Sequence, residues 1–403
     1  MINKYQPSNR ILKSYSDVLV KFALNSGKGI KKGEVVMLQV FESAKPILKH
    51  LLKAVLESGA YPIIQYIPEG VDRTFFENAN DDQLKYQPKK YLLERVKECD
   101  HFIVVGAQSD KHELEGVDSK KIMIKQKSSK FYRDARHKKE KEGKLTWTYG
   151  IYGTDAMAFE VGMSKREYWN QIIKACFLDH TKPVLKWRNV FKMIDNIKSK
   201  LNKLDIKNIH IKGKNVDLNI ELGKKRKWVG GSGRNIPSFE IYISPDWRGT
   251  NGWVRFNQPL YRYGSKIEGI EIEFKDGIVK KIKASRGERL LKEMIKIKNA
   301  NKVGEFSLTD KRLSRITKVM GETLYDENIG GKYGNFHIAL GSAFAECFNG
   351  DKKNVKESYL KKIGLNIDCV VHTDIISTDD RVVTAEFENG KETVLYKNGQ
   401  FQI

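Results

Sequence analysis

The chain has 403 residues, 40% of them hydrophobic, and a formal net charge of +23 at pH 7. This length is too great for one ordinary core and favours two domains. No stretch approaches the ~20 apolar residues of a membrane span, and no apolar segment follows the polar first residues. These features predict a cytoplasmic protein without membrane contact. The four cysteines are scattered and lack metal-binding or redox spacing, so we expect ordinary reduced thiols.

The positive charge is dispersed along the chain. The densest basic block, residues 120–144, also contains acidic residues and is typical of a solvated loop or helix. Lysines and arginines clustered on one surface would indicate a nucleic-acid site. The sequence, however, has no zinc-finger, RNP-like or glycine-rich phosphate-binding motif. The charge pattern therefore argues against nucleic acid as a partner.

The first half of the chain alternates helical and extended patterns. Helical periodicity covers residues 14–24, 43–57 and 89–98, and extended runs cover residues 34–40, 61–67 and 101–106. This order is typical of a parallel sheet covered by helices, with right-handed crossovers. No G-x-G-x-x-G string follows any of these strands. Residues 1–190 are therefore predicted to form a Rossmann-like α/β domain without a dinucleotide cofactor.

The second half of the chain is rich in short strands. Extended runs follow one another from Asn208 onward, with Asp276-Gly277 as a hairpin turn. Helical patterns cover three segments: 183–204, 287–297 and a segment that begins near Asn335. Residues 191–403 are therefore predicted to form an α+β domain with a mostly antiparallel sheet.

An apolar run over residues 367–377 has the pattern of a buried strand and contains Val371-His372-Thr373-Asp374. Alternate residues of a strand face the same side, so His372 and Asp374 present an imidazole and a carboxylate side by side. Burying such a pair costs on the order of several kcal/mol unless something compensates the charge. A divalent cation would do so, and a hydrogen bond within the pair is the structural alternative. The pair alone leaves both interpretations open.

Three further residues are candidates for a metal site. Glu240 lies where a turn enters a predicted strand, Glu305 lies at a strand start, and His337 opens an apolar segment. Taken singly, each also suits a structural role, the glutamates as surface residues and the histidine as a hydrogen-bonded core residue. Only their occurrence as a set favours a metal site.

Five ordered motifs carry a resemblance to a known family. The strings NIPSFEIYISPDWRGTNGWVRFNQPL, KVGEFSL, TLYDEN, FHIALG and VHTDI are similar, in this order, to the active-site segments of the aminopeptidase T family of metalloaminopeptidases. The similarity extends from about Gly150 through Thr378, whereas the first domain matches mainly in its pattern. Several ordered motifs over this length are a far more specific signal than a single His-x-Asp.

The resemblance implies a two-metal hydrolase that removes the N-terminal residue of short peptides. Carried over by motif, the metal ligands are Glu240, Glu305, His337, His372 and Asp374. Three carboxylates and two imidazoles suit zinc, cobalt or manganese, and one carboxylate can bridge two ions. Glu305 is our candidate for the base that accepts a proton from the attacking water, and Asp326 is predicted either to orient a ligand imidazole or to cap a turn. The family also implies a homodimer.

One position departs from the family pattern. The family has a tyrosine seven residues after the histidine of the FHIALG-like motif, where it donates a hydrogen bond to the tetrahedral intermediate, and this chain has Phe344. Losing such a donor typically costs on the order of a hundred- to a thousandfold in turnover. Three explanations are open: a slow peptidase, a substitute donor such as Tyr325 or Tyr333, or a repurposed site. Higher turnover of Phe344→Tyr would favour the first, and no change would favour the others.

Two other functions are compatible with the sequence. Ring-cleaving dioxygenases resemble this family in the second domain and use one iron ion, for which His and Asp ligands suffice. A basic RNA-binding protein with a vestigial metal site is the second alternative. The presence of all five candidate ligands favours two metals and hydrolysis.

Overall fold

A computed structural model describes residues 5–262, 264–351 and 354–403. The chain separates into two compact units: one contains the residues up to Arg188 together with Ser232–Pro237, and the other contains Asn189–Gly231 together with Ser238–Ile403. Within the described residues, none of the helices is both long and apolar enough to span a membrane.

The first unit is built on a parallel sheet. Its strands are β1 Val35–Phe41, β2 Tyr61–Ile67, β3 His101–Gly106 and β4 Thr146–Ile151. They lie in the order β2-β1-β3-β4, and every neighbouring pair is parallel. The central strands β1 and β3 are mostly buried, as expected when helices cover both faces of a sheet. The predicted α/β class of this domain is confirmed.

Helices precede, connect and follow these strands. They are α1 Asn9–Lys21, α2 Lys45–Glu57, α3 Asp72–Asn78, α4 Asp81–Lys85, α5 Lys89–Glu98, α6 Ser119–Ser128, α7 Lys130–Lys141, α8 Asp155–Glu160 and α9 Lys165–Ala175. Helix α1 begins five residues before the predicted start at residue 14, because the Ser8 side chain caps it by accepting the Ile11 N–H. Helix α10, Pro183–Leu201, spans the division between the two units.

The second unit contains a large antiparallel sheet. Its strands are β5 Ile206–Gly213, β6 Val216–Glu221, β9 Thr250–Arg255, β12 Glu271–Lys275, β13 Ile278–Lys283, β17 Arg381–Phe387, β18 Glu392–Lys397 and β19 Gln400–Phe401. They lie in the order β13-β12-β9-β6-β5-β17-β18-β19. The predicted hairpin turn joins β12 to β13, and Asp276 and Gly277 there have φ angles of 51° and 73°, as a type I′ turn requires.

A smaller antiparallel sheet in the same unit carries the candidate site. Its strands are β7 Val229–Gly230, β8 Glu240–Ile243, β14 Val303–Thr309, β15 Asn335–Gly341 and β16 His372–Ser377. They lie in the order β16-β15-β14-β8-β7, and every residue of β14 and β15 is buried. The remaining elements are a two-stranded pair, β10 Leu260–Arg262 with β11 Ser265–Ile267, and the helices α11 Glu288–Lys296, α12 Thr323–Asp326 and α13 Glu357–Lys362.

Two predictions about this unit were wrong. The segment from Asn335 is the strand β15 rather than a helix, because it is paired on both sides and buried throughout, and a continuous apolar run of this length does not distinguish a buried strand from a helix. The predicted strand over residues 367–377 begins only at His372; Val370 before it is 91% exposed. Val370 lengthened the apolar run in the sequence, but its side chain is not part of the core.

Candidate metal centre

Three neighbouring strands and the start of a fourth bring the five candidate ligands to one face of the smaller sheet. Residues directly opposite each other in antiparallel strands point to the same face. Ala339 of β15 is opposite both Glu305 of β14 and Asp374 of β16. His337 and His372 lie two residues before Ala339 and Asp374 on the same strands, so they point to this face as well. Glu240 also points to it, because its partner on β14 lies an even number of residues from Glu305.

The side-chain atoms form two groups that share Glu305. In the first group His337 Nε2 lies 2.8 Å from Glu305 Oε1 and 3.6 Å from Glu240 Oε2. In the second group His372 Nε2 lies 3.1 Å from Asp374 Oδ1 and 3.7 Å from Glu305 Oε2. Within each group one ligand atom per residue lies within 4.8 Å of the others. The two oxygens of Glu305 therefore face different imidazoles, as a carboxylate between two cations would.

The carboxylates hold both imidazoles in the protonated form when no metal is bound. Burial by itself lowers the pKa of His337, but the hydrogen bond to Glu305 and the charges of Asp374 and Glu240 outweigh it and raise the pKa to about 9. Burial likewise opposes protonation of His372, and the charge and hydrogen bond of Asp374 raise its pKa to about 10. The same contact with His372 outweighs burial and lowers the pKa of Asp374.

The cluster contains more carboxyl groups than two imidazolium ions can balance, so some of them are held in the protonated form when no metal is bound. Burial and the charge of Glu305 raise the pKa of Glu240 to about 8. A further buried carboxyl, Glu327, has a pKa well above its ordinary value because of burial and the charges of Glu240, Asp374 and Glu305. The sequence prediction did not include Glu327, although it lies in the quoted string TLYDEN. Excess buried carboxylates of this kind favour a divalent cation.

The imidazole tautomers also fit a metal site. His372 Nδ1 lies 2.7 Å from the carbonyl oxygen of Ser342, which can only accept a hydrogen bond, so Nε2 is left to bind a cation. His337 Nε2 faces the carboxylates, and its buried Nδ1 has no hydrogen-bond partner within the described part of the chain. Ser307 Oγ, on the residue directly opposite, is likewise buried without a partner in this part of the chain.

Asp326 lies beside this cluster rather than in it. Its Oδ1 accepts a hydrogen bond from the Met320 N–H at 2.6 Å, which corresponds to the turn-capping role considered for it. The next residues connect this turn to the site: Asn328 donates to Glu327 at 3.4 Å, and its Oδ1 accepts the Phe239 N–H at 2.6 Å. Asn328 thereby positions the backbone immediately before Glu240.

Phe344 lies against the site and is 39% exposed. Its ring centroid is 4.7 Å from that of His372 and 5.6 Å from that of Tyr242. Tyr242 is buried, and its hydroxyl donates a hydrogen bond to Glu346. The sequence prediction missed Tyr242; its position two residues after Glu240 on a strand was the available signal, because such residues share a face.

Metal binding is expected to release protons. Cation ligands must be deprotonated, whereas Glu240, His337 and His372 have pKa values of about 8, 9 and 10 without metal. At pH 7 we expect about three protons to be released per chain, and about half as many at pH 9. Titration calorimetry with zinc or manganese in buffers of different ionisation enthalpy measures this number. A release near zero at pH 7 would contradict the ligand set.

Comparisons with known proteins identify the family of this chain. The family described as thermophilic metalloprotease (M29) matches residues 8–401. Aminopeptidase AmpS of Bacillus subtilis is 27% identical, with 97% of this chain and 98% of the relative covered. Aminopeptidase PepS of Streptococcus thermophilus is also 27% identical, with 98% and 100% covered.

A solved structure supports the same architecture. Wild-type AmpT from Thermus thermophilus superposes with a TM-score of 0.85 at 24% sequence identity, covering 98% of this chain and 99% of that chain. The likeness confirms the predicted fold class, and the family match confirms the resemblance found in the motifs. The chain therefore belongs to the M29 family of thermophilic metalloproteases.

Proposed function

We propose that the protein is an aminopeptidase that removes the N-terminal residue of short peptides at a two-metal site. The observation that carries this proposal is the pair of three-residue groups that share Glu305. Hydrolysis of peptides follows from the family, and restriction to the N-terminus is supported by the relatives, which are named aminopeptidases. Two divalent ions, when bound, would polarise the peptide carbonyl and acidify a water molecule.

Five residues are proposed to hold these ions: Glu240, Glu305, His337, His372 and Asp374. Glu305 would contribute to holding both ions, since each of its oxygens faces a different imidazole at 2.8 and 3.7 Å. The mixed set of carboxylates and imidazoles suits zinc, cobalt or manganese. The contact of His372 Nδ1 with the Ser342 carbonyl supports a neutral imidazole with Nε2 toward an ion, and His337 also directs Nε2 toward the carboxylates.

Two carboxylates are suited to accept a proton from the attacking water. Glu305 is the candidate from the motif, and it is buried at the centre of the cluster. Glu327 is the second, because it is a buried carboxyl whose pKa is raised by burial and by the charges of Glu240, Asp374 and Glu305, which places it next to the cluster. The base would then return the proton to the leaving amine. Glutamine variants of the two residues separate their roles.

The proposal is tested with purified protein loaded with zinc, cobalt or manganese. We expect hydrolysis of leucine 4-nitroanilide and of dipeptides, but not of their N-acetylated forms, and a metal content of about two ions per chain. The N-acetylated substrates are matched controls because only the free amine differs. Cleavage of the acetylated substrates, or no hydrolysis of any aminoacyl substrate with metal bound, would contradict the proposal.

The two alternatives from the sequence are not supported by the relatives, which carry aminopeptidase names. The metal content also separates them, since a ring-cleaving dioxygenase would hold one ferrous ion. The homodimer and the cytoplasmic location stay predictions. Light scattering after size-exclusion chromatography tests the dimer.

A further inference from the structure

The site lacks a phenolic hydroxyl at Phe344, where the resemblance expects a tyrosine. The Phe344 ring packs on His372 with centroids 4.7 Å apart, so this position is next to a proposed metal ligand. A phenylalanine there offers no hydrogen-bond donor. A fully active site of this kind would need another donor near the same place, because a donor to the tetrahedral oxygen is worth on the order of a hundred- to a thousandfold in rate.

Tyr242 lies on the face of the smaller sheet that carries the site, in contact with Phe344. It is on β8, two residues after Glu240, so both side chains are on the face that carries the site. It is opposite Ser307, which is in turn opposite His337, so the three residues form one row across that face. The Tyr242 ring contacts the Phe344 ring edge-on, with centroids 5.6 Å apart and planes at 60°.

The hydroxyl of Tyr242 is held in place at the end of this buried ring. It donates to the carboxylate of Glu346, which is on the short 3-10 turn Ala345–Cys347 that directly follows Phe344. A phenolic hydrogen can rotate about its C–O bond between in-plane orientations. One such rotation would transfer the donor from Glu346 to an oxygen on the other side of the hydroxyl. Donating this hydrogen bond requires only the neutral phenol. The Tyr242 side chain is already held by its contact with the Phe344 ring and its hydrogen bond to Glu346.

We infer that Tyr242 donates the hydrogen bond to the tetrahedral intermediate that a tyrosine at position 344 would otherwise supply. The inference rests on the proposed aminopeptidase function. When the attacking water adds to the peptide carbonyl, the carbonyl oxygen becomes an oxyanion, and the hydroxyl of Tyr242 donates to it without transferring its proton. Phe344 then serves as the apolar surface that orients the Tyr242 ring.

The residues named from the sequence as substitutes are less suited to this role. Tyr325 lies in the short helix α12, and Tyr333 lies beside Lys332, whose ammonium is 4.9 Å from the Tyr333 ring centroid. The Tyr242 ring, in contrast, contacts the Phe344 ring directly. The structure therefore favours a substitute donor on β8 over one in the segment that precedes β15.

The test moves the hydroxyl between the two contacting rings. With leucine 4-nitroanilide and saturating metal, Tyr242→Phe is expected to lower kcat by a hundred- to a thousandfold, with KM changed less than about threefold. The double variant Tyr242→Phe with Phe344→Tyr is expected to recover at least about tenfold of the loss, because it restores one hydroxyl at the family position. Tyr359→Phe on α13 removes a hydroxyl elsewhere in the unit and serves as the matched control.

A binding measurement provides a second readout that does not depend on turnover. Calorimetry of metal-loaded protein compares the phosphonic acid analogue of leucine, a tetrahedral mimic, with leucine itself. Tyr242→Phe is expected to weaken the phosphonate by about a hundredfold and leucine by less than threefold, and the double variant is expected to bind the phosphonate more tightly again.

Several outcomes would overturn the inference. It fails if Tyr242→Phe leaves both kcat and phosphonate affinity unchanged, or if Tyr325→Phe or Tyr333→Phe causes the loss instead. It also fails if Tyr242→Phe lowers activity together with the melting temperature and Phe344→Tyr recovers neither, since that result indicates a structural role. Absence of any hydrolysis by the wild-type protein would count against the proposed function, and the phosphonate comparison would still decide the role of Tyr242.

Discussion

Glu305→Gln is expected to reduce peptide turnover by about a thousandfold at saturating metal. Glutamine keeps the size of the side chain but removes its charge, and Glu305 is the only residue that belongs to both ligand groups found in the described chain. Its two oxygens lie 2.8 Å from His337 Nε2 and 3.7 Å from His372 Nε2, so the change affects both groups at once. Turnover of leucine 4-nitroanilide and metal content by atomic absorption are measured on the same preparation.

Comparing Glu305→Gln with Glu327→Gln shows whether Glu305 acts as a metal ligand only or also accepts the proton from the attacking water. If Glu305 both bridges the ions and accepts the proton, Glu305→Gln lowers turnover further than metal loss explains, and Glu327→Gln has a smaller effect. If Glu327 is the base, Glu327→Gln lowers turnover by a hundredfold or more with full metal content. Glu392→Gln, on an exposed part of β18, is the matched control. Near-normal turnover of metal-loaded Glu305→Gln would remove Glu305 from the mechanism.

The sequence predicted the first domain well because its signals are local. Strand β2, helix α5 and strand β3 have the predicted ends, since each is a short periodic segment bounded by turn or capping residues. The second domain was harder, because the central strands β14 and β15 of its smaller sheet are buried on both faces. The strand β15 was consequently predicted as a helix, and only pairing with β14 and β16, which are distant in sequence, determines its conformation.

The sequence motifs predicted the candidate metal ligands, but they did not predict the residues that surround these ligands in the structure. His372 and Asp374 are adjacent on one strand, so their proximity follows from strand geometry alone. Glu327 is ten residues before His337 and comes close to the cluster only through a turn that Asn328 anchors. Tyr242 meets Phe344 across more than a hundred residues. Contacts of this kind depend on the register between distant strands, which a single sequence does not specify.

Removing the metal is expected to abolish turnover and to lower the melting temperature of the site-bearing unit by roughly 10 °C at pH 7. A ligand present at a thousandfold its dissociation constant stabilises the folded state by about 4 kcal/mol, and each kcal/mol corresponds to about 2–4 °C for a domain of this size. The physical source is the buried group of carboxylates, of which Glu240, Glu305 and Asp374 lie within 4 Å of His337 Nε2.

The effect of the metal on stability is expected to increase with pH. In the metal-free protein the charged forms of His337 and His372 partly balance the carboxylates, and their folded-state pKa values of about 9 and 10 are above the ordinary histidine value. This contribution is therefore complete below about pH 6.5 and is lost as the pH rises through 9 to 10. Deprotonation of Glu240, with its pKa raised to about 8, acts in the same direction. Calorimetric melting of chelator-treated and metal-loaded protein between pH 6.5 and 10 measures the difference. A constant difference, or none, would mean that these side chains are not the ones that the metal neutralises.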